Sequence, residues 1–170
     1  FARIATDILD YVSLEMTDPA GGFYSATDAD SLNPSGEREE GWFFTWTPEE
    51  LTAVLGSDRA NTAMAWFSVT PSGNFDGRSI LHVPRGGQTV AEELGLTPQE
   101  LDDTIQTIRR DLYQSRALRP PPPRDDKVLV GWNGLMISAF AKGSLVLNNP
   151  EWTQQATDAA NFILSNLVVD

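Results

Sequence analysis

Apolar side chains recur at helical spacing in several long segments of the chain. Phe1, Ile4, Ile8 and Val12 fall on one face of a first helix, which is predicted to end near Thr17. Two further helices begin with capping boxes, in which a threonine is followed by proline and, three positions on, by glutamate; these begin at Thr47 and Thr97. The pattern predicts amphipathic helices separated by turns.

The remaining helices follow from apolar runs and turn residues. The helix from Thr47 should end at Gly56, and another should run from Ser57 to about Phe67. After Trp132 nearly every position is apolar, which predicts a helix buried on all sides. Asn149 and Pro150 cap and start the last helix. The sequence therefore predicts about six helices.

Short extended segments interrupt these helices. Residues 23–26 and 42–46 are aromatic, and the polar loop between them suggests an antiparallel hairpin. Residues 79–83 are predicted to form one more strand, within an otherwise turn-rich stretch. Residues 120–124 form a proline-rich connector.

The order of these elements favours one fold class. Strands and helices do not alternate regularly, so a doubly wound parallel sheet is disfavoured. Helices packed in antiparallel pairs fit better, which gives a mainly α class with small β-hairpin insertions. We expect residues 1–170 to form part of one larger domain, because the chain starts at Phe1 without an initiator methionine.

Composition and charge narrow the function. The chain has 170 residues, a formal net charge of -12, no cysteine and one histidine. This charge opposes binding to nucleic acid or anionic membranes, which need clustered cations. We expect no metal and no cofactor, a cytoplasmic location, and a structural role for His82.

The first candidate site lies in Gly21–Ser31, where Asp28 and Asp30 would face the same side of an extended strand. Two close carboxylates can act as acid and base, bind ring hydroxyls, or cap turn backbone. A calcium loop is disfavoured, because Leu32 stands where an oxygen ligand is expected and Asn33 replaces the turn glycine.

A second candidate site combines Asp125, Asp126 and Lys127 with Trp132 and Asn133. Acidic residues before a helix often serve only as caps. An asparagine inside an apolar run needs hydrogen-bond partners. Either it lines a pocket, where it binds ligand hydroxyls beside a stacking tryptophan, or it satisfies backbone groups and locks the loop.

Four motifs in this order resemble one family closely: GGFYSATDADS, EGWFFTWTPEEL, GNFDGRSIL and RDDKVLVGWNGLMISAFAKG. This is the thioredoxin-fused family of spermatogenesis-associated protein 20 and its bacterial relatives. The resemblance implies an N-terminal thioredoxin-like domain elsewhere in a longer chain. It also implies an (α/α)6 toroid similar to six-hairpin glycosidases and to N-acylglucosamine and cellobiose 2-epimerases, of which this chain would be a middle piece.

The resemblance leads to a carbohydrate-processing enzyme domain, a sugar hydrolase or an epimerase-like enzyme. The epimerases of this fold use a pair of histidines, and this chain has His82 alone. The carboxylates would be catalytic, and other matched side chains would bind substrate. The proposed catalytic residues are Asp28, Asp30, Asp125 and Asp126, and the proposed substrate-binding residues are Tyr24, Lys127, Trp132 and Asn133.

Two alternatives remain open. The chain could be a non-catalytic module that binds a glycan or a protein for the thioredoxin-like partner. Alternatively, both acidic motifs could be purely structural caps.

Overall fold

The computed structural model describes residues 1–168 as a mainly helical protein with two small antiparallel sheets. None of the helices in this part of the chain is both long and apolar enough to cross a bilayer. The elements, in chain order, are α1 (Ala2–Glu15), β1 (Ala26–Thr27), β2 (Asp30–Leu32), β3 (Arg38–Glu40), α2 (Pro48–Leu55), α3 (Ser57–Phe67), α4 (Gly87–Leu94), α5 (Pro98–Arg116), β4 (Arg124–Asp125), α6 (Val130–Leu147) and α7 (Pro150–Asn166).

The chain divides into two compact units. The central unit is Ala29–Pro123, and the terminal unit combines Phe1–Asp28 with the chain from Arg124 onward. The boundary between Pro123 and Arg124 falls within the proline-rich connector. Each unit has its own cluster of buried apolar side chains.

The central unit packs α2, α3, α4 and α5 around one core. Leu51, Ala60, Val90 and Ile108 are fully enclosed there. Both predicted capping boxes are confirmed: the threonine hydroxyl at the start of α2 and of α5 accepts from the backbone N–H three residues on, and the glutamate at that position accepts from the threonine N–H. Strands β2 and β3 form a hairpin at the start of this unit.

The terminal unit is built on α6 and α7, which are joined by only two residues and therefore pack as neighbouring helices. Helix α1 also packs against α6. The rings of Phe23 and Phe140 stack with their centroids 5.1 Å apart inside this core. Gly143 in α6 lets α1 approach closely, because a Cβ at this position would collide with Leu9 in α1. Strands β1 and β4 pair at the edge of this unit.

Three expectations about strands and helices are wrong. Residues 42–46 form no strand: Gly41 has φ 73°, and its carbonyl accepts from the N–H groups of Phe44 and Thr45, which closes a turn. The hairpin is instead formed by β2 and β3, and the predicted strand at 79–83 is reduced to a single bridge between Trp46 and Ser79. Helix α4 directly follows the turn-rich stretch and was not predicted from the sequence.

Helix α6 is not buried on all sides in the described chain. Asn133, Phe140 and Ser144 are buried, but Leu135 and Leu145 are 74% and 85% exposed. The helix packs along one side only, so the apolar residues on its other side meet no neighbour among residues 1–168. An apolar pattern on all sides predicts burial only where partners exist for every side.

Candidate functional site

The segment that leads to Asp28 and the segment that contains Asp125 and Asp126 lie side by side in the terminal unit. Ala26 pairs with Asp125, and Thr27 pairs with Arg124, in the β1–β4 ladder. The backbone N–H of Ser25 also donates to the carbonyl of Asp125 over 3.3 Å. The ladder therefore gathers one group of side chains, here named the acidic-loop cluster: Asp18, Tyr24, Arg124, Asp125, Asp126 and Lys127.

Tyr24 is the centre of this cluster. Its hydroxyl donates to Asp18 Oδ2 over 2.8 Å. The guanidinium carbon of Arg124 lies 4.0 Å from the centroid of the Tyr24 ring, which is a cation–π contact. Arg124 Nε donates in turn to Asp126 Oδ1 over 2.9 Å. The ring is therefore held at its hydroxyl and on one face.

These contacts shift the protonation equilibria of the cluster. The backbone N–H of Ala20 and then the Tyr24 hydroxyl lower the pKa of Asp18. The same hydrogen bond to Asp18 raises the pKa of Tyr24. The hydrogen bond to Asp126 raises the pKa of Arg124. Asp18 is thus an anion and Tyr24 a neutral phenol at neutral pH.

Asp125 and Lys127 form a second pair in the cluster. Lys127 Nζ lies 3.1 Å from Asp125 Oδ2, and the backbone N–H of Lys127 donates to Asp125 Oδ1 over 3.2 Å. The lysine side chain, followed by this N–H group, lowers the pKa of the Asp125 carboxyl. Both side chains are largely open to solvent. Asp125 is therefore a hydrogen-bond acceptor and not a proton donor at neutral pH.

Asp28 and Asp30 do not lie on one strand, so that expectation is wrong. A bend at Ala29 separates β1 from β2. Asp28 follows β1 in the terminal unit, whereas Asp30 opens β2 in the central unit, opposite Glu40. Asp30 Oδ2 lies 3.9 Å from Arg38 Nε.

Asn133 is 1% exposed and locks the glycine turn onto α6. Its Oδ1 accepts from the Phe23 N–H over 2.8 Å, and its Nδ2 donates to the carbonyls of Phe23 and Leu129 over 2.9 and 3.1 Å. This arrangement matches the interpretation of a backbone-satisfying asparagine. Its role as a ligand for substrate hydroxyls stays a prediction.

Trp132, one residue earlier, is 58% exposed. It lies in the first turn of α6, a few residues after the acidic-loop cluster in sequence. An exposed indole of this kind is a flat apolar surface that can stack on a ring.

Close packing explains the two glycines of the GGFYSATDADS motif, Gly21 and Gly22. Gly21 has φ 113°, and a Cβ there would lie 2.8 Å from the backbone oxygen of Asp158 in α7. A Cβ on Gly22 would lie 3.0 Å from the ring of Phe162. The turn after α1 is thus pressed directly against α7.

The central unit holds a second charged group, here named the arginine–aromatic cluster: Trp42, Trp46, Glu50, Arg78 and Arg119. Arg119 Nη1 donates to three carbonyls of the 41–46 turn, those of Trp42, Phe43 and Thr45, over 2.9, 3.1 and 2.8 Å. Its guanidinium carbon lies 4.1 Å from the centroid of the Trp46 ring.

Glu50 joins the two arginines of this cluster. Its Oε2 accepts from Arg78 Nη2 over 2.7 Å and lies 3.3 Å from Arg119 Nη2. Burial is the main cause of the lowered pKa of Arg119, whose side chain is only 10% exposed. These charges are directed at the protein's own backbone, so this cluster holds the fold.

Sequence reasoning missed three residues that organise these clusters. These residues are Asp18, Arg119 and Arg124. Arg124 was not assigned any role beside the prolines. The partners of Arg119 lie 69 to 77 residues away, whereas Asp18 binds Tyr24 six residues on and Arg124 binds Asp126 two residues on, so these two pairs were local signals.

No family model matches the chain, but several known proteins are similar to it. Spermatogenesis-associated protein 20 of Homo sapiens is 32% identical over 183 aligned positions, which cover 96% of this chain and 23% of that protein. The protein of the same name from Mus musculus is 31% identical with the same coverage. An uncharacterised protein of Caenorhabditis elegans, B0495.5, is 29% identical over 95% of this chain. The chain is thus similar along nearly its whole length to these proteins and spans about a quarter of their length.

Proposed function

We propose that this chain is a saccharide-binding part of a helical toroid, in a protein of the spermatogenesis-associated protein 20 family. The similarity to relatives of that name along 96% of the chain supports the family. The helical content and the packing of α6 against α7 are compatible with antiparallel helix pairs of such a toroid. In the longer protein, a thioredoxin-like domain would be the partner, in the cytoplasm.

The observation that carries the proposal is the position of Tyr24 in the acidic-loop cluster. Its ring is held by Asp18 and Arg124, and the neighbouring segment carries the ion pairs Arg124–Asp126 and Lys127–Asp125. Saccharide sites combine such charged hydrogen-bonding groups with an aromatic platform. Trp132, with its exposed indole, would supply the platform, and Lys127 would bind ring hydroxyls.

Binding is favoured over proton transfer by the carboxyl groups with shifted pKa values. Asp18 and Asp125 both have a lowered pKa. A general acid at neutral pH needs the opposite shift. These two groups are therefore suited to accept hydrogen bonds from hydroxyls.

Catalysis is the second candidate, and the β1–β4 ladder is the observation in its favour. The ladder pairs Asp125 with Ala26 in β1, Asp126 follows directly after β4, and Asp28 follows directly after β1. A hydrolase or an epimerase-like enzyme would use two of these carboxylates as acid and base. Residues of the longer protein would complete the site.

Calorimetric titration of the protein with glucose, N-acetylglucosamine and cellobiose tests the proposal. We expect saturable binding that Trp132→Ala weakens up to about tenfold, because aromatic stacking contributes about 0.5–1.5 kcal/mol. Leu135→Ala is the matched control, since it removes another exposed apolar side chain from α6. Absence of binding, or equal loss in both variants, would contradict a saccharide site at Trp132.

Asp126→Asn separates binding from catalysis. Asp126 is exposed and contacts Arg124 at the surface, so the variant should fold normally. A binding module predicts a modest loss of affinity and no turnover in either protein. Hydrolysis or epimerisation that this variant abolishes, with affinity retained, would establish the catalytic candidate instead.

A further inference from the structure

A groove of about 720 Å³ lies in the terminal unit between the turn after α1 and one face of α7. Thr17–Gly21 forms one wall. The other wall is a stripe of α7 that includes Gln155, Asp158, Asn161 and Phe162. Its volume falls within the range of small-molecule sites, about 300–1,000 Å³.

Two contacts fix the distance between the walls. Ser13 Oγ donates to Gln155 Oε1 over 2.8 Å at the end of α1. The backbone of Gly21 is pressed against Asp158, where no side chain could fit. These contacts hold the two walls at a fixed separation, and such preorganisation lowers the entropic cost of binding.

The polar groups of the groove are of mixed type. Among residues 1–168, the side-chain amide of Asn161 makes no hydrogen bond, and the amide of Gln155 has hydrogen-bonding capacity beyond its contact with Ser13. Asp18 and Asp158 supply carboxylate oxygens, and Ser165 supplies a hydroxyl. Phe162 adds an aromatic surface. Adjacent donors and acceptors beside one ring match a molecule that carries many hydroxyl groups.

The charge of the lining restricts the ligand further. Two aspartates and no lysine or arginine line the groove. A phosphorylated or carboxylated ligand would meet repulsion with no compensating cation. From these observations we propose that the groove is a second binding site, for a neutral polyhydroxylated small molecule. The site goes beyond the proposed function, because it does not use Trp132 or the β1–β4 ladder. It shares Asp18 with the acidic-loop cluster, since Asp18 lines the groove and also accepts from Tyr24.

The test is nuclear magnetic resonance of the protein during titration with glucose and maltotriose, read at the amides of α7 and at the indole of Trp132. We expect saturable shifts at Asn161 and Ser165. Asn161→Leu should weaken this binding about fivefold, equivalent to about one hydrogen bond. Asn161 is exposed, so the variant should fold. Thr157→Ala, one turn away and outside the groove lining, is the matched control and should leave affinity unchanged.

Each other outcome overturns the groove proposal. Sugar-induced shifts at the Trp132 indole alone would leave the proposed function intact and remove the groove as a site. Glucose 6-phosphate that binds the groove as tightly as glucose would contradict the charge argument. Spermidine shifts at α7 without glucose shifts would identify a cation site in place of a polyol site. No shift at α7 with any sugar would show that the groove is not a sugar site.

Discussion

The two charged clusters of this protein use similar residues for opposite purposes. In the central unit, Arg119 is buried and donates hydrogen bonds to three backbone carbonyls of its own chain. In the terminal unit, Arg124 stacks on Tyr24 and pairs with Asp126, and these groups remain open to solvent. Arginine, acid and aromatic residues thus form a structural centre in one unit and an accessible surface in the other.

The difference follows from what holds each segment in place. The 41–46 turn forms no sheet of its own, so charged donors must satisfy its carbonyls. In the terminal unit, neutral groups hold the turn in place. The side-chain amide of Asn133 bonds the backbone of Phe23, and Gly21 and Gly22 pack closely against α7. The charges of the acidic-loop cluster are therefore left available for a ligand.

Arg119→Met should give the largest loss of stability. The change leaves the carbonyls of Trp42 and Phe43 without their arginine donor, and Arg78 remains as the one arginine at the Thr45 carbonyl and the Glu50 carboxylate. Removing one partner of a buried pair costs about 3–5 kcal/mol. Chemical denaturation followed by circular dichroism measures the free energy of unfolding. Arg110→Met, at a position two-thirds exposed on α5, is the control and should cost less than about 1 kcal/mol. Equal costs in the two variants would show that the arginine–aromatic cluster is not a structural centre.

Asn133→Ala should cost somewhat less, about 2–4 kcal/mol. The substitution leaves the N–H and the carbonyl of Phe23 buried without partners, and each such group costs about 1–3 kcal/mol. The same denaturation experiment measures it. Ser138→Ala on the exposed side of α6 is the control and should have little effect. A loss of saccharide affinity with unchanged stability would instead assign Asn133 to ligand binding.

Two glycine variants should have opposite signs. Gly21→Ala forces an alanine to φ 113° and brings its Cβ to 2.8 Å from the Asp158 oxygen, so we expect a loss of about 1–3 kcal/mol. Gly134→Ala lies within α6, where a Cβ meets open space, so we expect a gain of up to about 1 kcal/mol. Thermal denaturation of both variants gives the comparison. If Gly21→Ala were neutral, the turn would not be the rigid wall that the terminal unit requires.

Local rules predicted the helices well and the tertiary contacts poorly. The boxes at Thr47 and Thr97 are local, because cap and helix lie within four residues, and the structure confirms them. The strand predicted at 42–46 failed because aromatic content mimics strand preference, whereas the actual partner of these carbonyls, Arg119, lies more than 70 residues away.

The acidic segments illustrate what sequence spacing can and cannot provide. The alternation of Asp28 and Asp30 suggested a shared face, but the bend at Ala29 lies between them. The pairing of β1 with β4 joins residues about 100 positions apart, and no periodicity in the sequence predicts this pairing. Asn133 was singled out correctly as an asparagine in need of partners, since burial of an amide is costly, but the partner Phe23 was not predictable.

The smallest expected effect concerns the pH response of the hydrogen bond between Asp18 and Tyr24. The pKa of Asp18 is lowered, so its contribution to stability is complete above its unfolded value and disappears as pH falls through its folded value. The pKa of Tyr24 is raised, so its contribution is complete below its unfolded value, about 10, and disappears as pH rises through its folded value.

Ultraviolet absorbance of the phenolate, with Tyr24→Phe as the subtraction control, measures the ionisation of Tyr24. Asp18→Asn should return the Tyr24 midpoint toward about 10, because the anionic acceptor is gone. If that variant left the midpoint unchanged, Asp18 would not set the ionisation of the ring, and the fixed geometry of the acidic-loop cluster would depend on Arg124 alone.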